Sequence, residues 1–103
     1  MLLQLRSQEF SEWFAAFRSS VNRLLAGRRV RNALIRGARH AYLTPCKPAF
    51  ANEAGDLLDF DAWRQAVLAG NPYPKLDEIY GLGRLGIGEL ITALGEQDNA
   101  LER

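Results

Sequence analysis

The segment RRVRNALIRGARHAYL, Arg28 to Leu43, sorts into two unlike sides when wound as a helix at about 100° per residue. Val30, Ala33, Leu34, Gly37, Ala38 and Ala41 form one side, small and apolar, suited to close packing against a second helix. Arg31, Ile35, Arg36, Arg39 and Tyr42 form the other. A purely solvated face carries polar groups only. An isoleucine and a tyrosine among arginines are instead the composition of an interface core, where planar cations and aromatics supply most of the binding energy. The contact stripe expected from this pattern is Arg31, Ile35, Arg39 and Tyr42. Ile35 and Tyr42 would anchor it, and the arginines would pair bidentately with carboxylates at its rim. Burying Ile35 in such a contact contributes on the order of 2 kcal/mol, or about thirtyfold in affinity.

Upstream, Phe10, Trp13, Phe14, Phe17, Val21, Leu24 and Leu25 step by 3, 1, 3, 4, 3 and 1 residues, the period of an amphipathic helix. Ser7 is placed to cap this helix through its hydroxyl. Gly27 is placed to close it in the left-handed conformation. Three Phe and one Trp within eight residues read as hydrophobic core, part of which meets a second subunit if the protein is dimeric. The small residues Ala33, Gly37 and Ala41, four apart, predict that a second helix from Arg29 to Leu43 folds back on the first as a tight hairpin around Gly27. One continuous helix through Gly27 is the alternative, at a cost of about 1 kcal/mol. Thr44-Pro45 ends the second helix, because the residue before proline disfavours helical angles.

Downstream, Pro45 to Gly55 reads as a loop crossing the surface. Asp59 or Asp61 caps a short helix from Phe60 to Ala69 that buries Phe60, Trp63 and Val67. The prolines of Asn71-Pro72-Tyr73-Pro74 hold Tyr73 on a rigid knuckle. Leu76, Ile79 and Tyr80 predict about two helical turns. Ile87, Leu90, Ile91 and Leu94 predict a last helix from Leu85 to Leu94 stopped at Gly95. Residues 1–6 and 97–103 are expected to fray. The fold class read from these segments is all-α, a compact bundle of four to five helices in a single domain over residues 1–103.

Composition bounds the function. At 103 residues, 48% hydrophobic and 24% charged, the chain is long enough for one core and too apolar for intrinsic disorder. Small domains bury less of their surface than large ones, which favours a homodimer or a partner-bound state. The net charge of +1 conceals an asymmetry. Residues 1–47 carry eight Arg and one Lys against Glu9 and Glu12, a balance of +7, and residues 48–103 balance at −6. Opposite halves suggest either an anionic partner at the front or pairing between the halves, within a subunit or head to tail. Arg outnumbers Lys eleven to two, the usage of a GC-rich bacterial genome. The lone Cys46 excludes an intrachain disulfide, and Cys46 with His40 falls short of a zinc shell. Arg6, Glu9 and Glu12 interrupt the apolar start before a signal-peptide core or membrane span forms. A soluble, cytoplasmic protein without membrane contact is expected.

Two glycine-rich readings compete at residues 81–86. Gly81, Gly83 and Gly86 match the dinucleotide fingerprint, which requires a preceding strand and an acid about 20 residues on. The same stretch resembles the helix-hairpin-helix module: a helix ending in Ile79, a Gly81-Leu82-Gly83 turn, then a helix with Ile87 and Leu90 inward. That resemblance implies that the turn's backbone N–H groups hold a nucleic-acid phosphate. Asp77, Glu78 and Glu89 around a single cation, Arg84, oppose it, and a close-packing joint between helices accounts equally for the glycines. Arg28, Arg29, Arg31, Arg36 and Arg39 offer a second route to phosphates, with Ile35 and Tyr42 interrupting the basic face.

No paired carboxylates, Ser-His arrangement or metal-ligand cluster occurs, so neither enzymatic activity nor a cofactor is expected. His40 has no acid within a helical turn and reads as a boundary residue. Cys46 has only Lys47 beside it and reads as a packed residue. In size, helical make-up and the segments RRVRNALIRGARHAYL and NPYPKLDEIYGLGRLG, the chain resembles the QslA-like small quorum-sensing anti-activators of pseudomonads. The resemblance implies a protein that binds a LuxR-type transcriptional regulator and prevents it from dimerising or occupying DNA. The expected function is therefore that of a small non-enzymatic regulator that binds and inhibits a partner protein. A small nucleic-acid-binding protein using the Arg-rich helix and the glycine turn is the alternative.

Overall fold

The computed structural model describes the backbone of residues 2–43 and 45–102, and the side chains of residues 8–43 and 45–96. Four α-helices form it: α1 (Leu2–Leu24), α2 (Arg28–Arg39), α3 (Phe60–Leu68) and α4 (Gly83–Glu102). Single 3-10 turns at Lys47–Ala49 and Leu76–Glu78 lie between them. The all-α bundle expected from the sequence is the observed fold, with no strand among the described residues.

The core is built on the aromatic stripe of α1. Phe17 is its centre, with ring centroids 5.1 Å from Trp13, 5.5 Å from Phe50, 5.5 Å from Phe60 and 5.3 Å from Trp63. Mostly tilted or edge-on, these rings place positive edges against negative faces, a gain beyond their buried area. Trp63 is fully buried and donates its indole N–H to the Ala49 carbonyl at 3.0 Å, so its one polar atom is satisfied. Val21, Leu25, Leu34, Leu90 and Leu94 extend the same cluster from α1, α2 and α4.

The α1–α2 hairpin forms as expected. Its antiparallel sense is fixed by the Tyr42 ring, 5.3 Å from Phe10, and by Arg39, over Phe14. Its ends differ from the sequence reading. The helix α1 starts at Leu2, so Ser7 lies within it and is not its cap. Gly27 has φ −68° and ψ 110° and serves as the extended N-cap of α2, without a left-handed stop to α1. Gly37 faces Phe50 and Ile79, where a Cβ would lie 3.1 Å from the Phe50 ring, and so gives no close approach to α1.

The segment after α2 dips inward. Ala49, Phe50 and Ala51 are buried, correcting the expected surface loop. The 3-10 turn swings Phe50 between Phe17 and Trp63, and backbone bonds close the segment: Leu58 N–H to Phe50 carbonyl at 3.0 Å and an antiparallel bridge between Ala51 and Leu57. Asp59 caps α3 as expected, its carboxylate accepting from Ala62 N–H at 2.8 Å. Leu76–Glu78 makes one 3-10 turn where two helical turns were expected. The helix α4 continues through Gly95 to Glu102, because an interior glycine keeps its backbone N–H and is tolerated in a helix. The expected fraying concerns ends whose side chains lie outside the described residues. Among the described residues no helix is long and apolar enough to cross a membrane.

Candidate functional site

The four residues of the expected stripe separate. The helix α2 ends at Arg39, with His40 as its C-cap, so Tyr42 sits in a turn and its direction is not set by helical period. Arg31 and Ile35 are half-buried, and Ile35 packs against the core. Arg39 and Tyr42 are exposed, Tyr42 to 61%. Ile35 is therefore a flank of the α1–α2 packing and not an exposed anchor.

What Arg39 and Tyr42 meet instead is the outer edge of the α1 aromatics. The guanidiniums of Arg18 and Arg39 lie 5.3 and 5.7 Å from the ring centre of Phe14, each a cation–π contact. Phe10 stacks 6.3 Å from Phe14 and meets Tyr42 edge-on. Phe10, Phe14, Arg18, Arg39 and Tyr42 thus line one seam, with the aromatic and arginine content typical of binding hot spots.

Beside the seam opens a groove of about 770 Å³. Phe10, Trp13, Tyr42 and Leu57 form its apolar walls, and Glu9, Asp56 and Lys47 supply its charges. The wall is rigid where it matters: the Trp13 indole N–H donates to the Leu58 carbonyl at 2.7 Å, tying α1 to the loop before α3. The local turn is set by Asn52, whose side-chain oxygen accepts from Asp56 N–H at 2.9 Å. A volume in this range suits a ligand or an inserted side-chain cluster.

Sequence reasoning missed the groove. Its two sides are the half-exposed shoulder of a stripe that reads as core and a loop that reads as featureless. The two prolines and the Asn52–Gly55 turn were the available signal that the loop is rigid.

The glycine turn has a different role from either motif. Gly81 and Gly83 have φ +86° and +67°, and Leu82 between them is buried. The preceding element is a three-residue 3-10 turn, which supplies neither the strand of a dinucleotide site nor the first helix of a helix-hairpin-helix. Gly81 leaves room for Arg36, whose guanidinium donates to the Tyr80 carbonyl at 3.3 Å and lies 5.7 Å from the Tyr80 ring. A smaller hollow of about 170 Å³ beside Arg36 includes Cys46, His40 and Glu78. Cys46 is half-buried and His40 exposed. Among the described residues no group of three His, Cys, Asp or Glu could hold a metal ion. No family model, curated protein or solved structure matches the chain.

Proposed function

We propose that this chain is a small non-enzymatic regulator that binds a partner protein in the groove between α1, the α2 turn and the loop before α3. One observation carries the reading: a concave surface of about 770 Å³ walled by Phe10, Trp13 and Tyr42, continuous with arginines held over Phe14. Large rigid aromatics bury much apolar area at little entropic cost, and flanking guanidiniums take carboxylates or carbonyls at the rim. Arg39 and Tyr42 keep the contact roles expected of them, whereas Phe10 and Trp13 take the place of Ile35 and Arg31.

The partner in this proposal is a LuxR-type transcriptional regulator, held from dimerising or occupying DNA, as the resemblance to quorum-sensing anti-activators implies. A cytoplasmic homodimer is part of the same reading. The outer face of α4 supports it, with Leu85 79% exposed and Ile91 41% exposed. The test is a gel shift of a purified LuxR-type regulator on its operator, titrated with this protein and with Tyr42→Asp. The wild-type chain should dissolve the complex, and Tyr42→Asp should require at least tenfold more protein. Equal potency of the two, or no effect at micromolar concentrations, overturns the proposal.

A further inference from the structure

Partial burial of Ile35 and departure of Tyr42 from α2 leave that helix with a different outer face from the one its sequence draws. Its exposed positions from Arg28 to Arg39 are Arg28, Arg29, Asn32, Arg36 and Arg39. No apolar side chain interrupts them. Across the seam Arg18 joins Arg39 on the ring of Phe14, carrying the positive surface onto α1. From residue 13 to residue 52 the chain has seven Arg, one Lys and no Asp or Glu. Ordinary solvated surfaces intersperse both signs. A hairpin of one sign repels itself unless an anion covers it.

We infer that this ridge binds the phosphate backbone of duplex DNA, meeting the seam beside the aromatic groove only at Arg18 and Arg39. A straight twelve-residue helix is about 18 Å long, enough to pass about five phosphates of one strand at 3.4 Å each. Guanidiniums spread over the outer arc of a helix reach phosphates on either side of a groove wide enough to admit it. Arg36 and Arg39 are held in place by Tyr80 and Phe14, which lowers the entropy lost on contact. Glu78 lines the same hollow as Arg36 at one end of the ridge. Phe14 is covered by two arginines and so offers no open ring for an unpaired base, which favours a duplex over a single strand.

Fluorescence anisotropy of a labelled 20-base-pair duplex of mixed sequence, titrated with the full chain, tests the inference. Five contacts predict a log–log salt slope of about −4.5 and a loss of about 500-fold in affinity between 50 and 200 mM salt. Arg28→Glu with Arg29→Glu should bring the slope to about −2.7 and weaken binding at least tenfold at 50 mM salt. Acids suit the first turn of a helix, so this variant should fold, with unchanged circular dichroism. Arg28→Lys with Arg29→Lys should retain binding, because a phosphate needs only the charge. Tyr42→Asp removes none of the five arginines and should leave the slope unchanged while it weakens the operator effect, which distinguishes the two kinds of binding. No binding at 25 mM salt, an unaltered slope in the double Glu variant, or tighter binding of polyglutamate than of the duplex overturns the inference.

Discussion

Ile35→Asp and Tyr42→Asp insert the same carboxylate seven residues apart, and the structure assigns them opposite consequences. Ile35 is half-buried and packed on the core. Full burial of an isoleucine side chain contributes about 1.5–3 kcal/mol, so removing half forfeits about 1 kcal/mol. Placing a carboxylate in the same half-buried site costs a further 1–2 kcal/mol or so. Arg31 and Arg39 stand four residues to either side and return about 0.5 kcal/mol through helix-face pairing. The net destabilisation is about 2 kcal/mol, which lowers Tm by roughly 8–16 °C in a domain of this size. Tyr42 is 61% exposed and loses one edge contact with Phe10, worth at most about 1 kcal/mol. Thermal melts followed by circular dichroism, run beside the operator gel shift, separate the two. Tyr42→Asp should melt within about 8 °C of wild type while losing activity in the gel shift. An Ile35→Asp variant that melts like wild type and loses partner binding would refute the placement of Ile35 and restore the helical stripe read from sequence.

Other substitutions probe the frame that holds the site. Phe17→Ala removes the ring shared by Trp13, Phe50, Phe60 and Trp63 and should cost about 3–5 kcal/mol in urea unfolding, with Phe17→Leu recovering most of it. Gly81→Ala places a Cβ against Arg36 at a φ of +86°. It should cost about 1–2 kcal/mol and shift the Arg36 side-chain resonances. Gly88→Ala meets open space within α4, so it should stabilise the monomer by about 1 kcal/mol as read by Tm. A loss of stability on that change would show that the outer face of α4 is covered in solution.

Local information decided the elements whose burial is periodic. The Phe10-to-Leu25 stripe reads as a helix because seven apolar residues at helical spacing leave no other backbone that buries them together. The Asp59 cap and the α1–α2 hairpin were legible on similar grounds, from a carboxylate able to take a free N–H and from small residues able to lie close to another helix. What periodicity does not carry is where a helix stops and which shoulder of its stripe is left uncovered. Tyr42 leaves the α2 face because the chain turns at His40 to bring Phe50 under Phe17 and Trp63. Arg36 is held by a carbonyl 44 residues away. Phe50 in a proline-flanked loop reads as surface until α1 and α3 close over it. Periodicity determined the helices, and the order of charges along the chain determined a cationic front half. Tertiary packing decided which of those arginines and aromatics face outward together, because that choice depends on contacts between segments that share no local pattern.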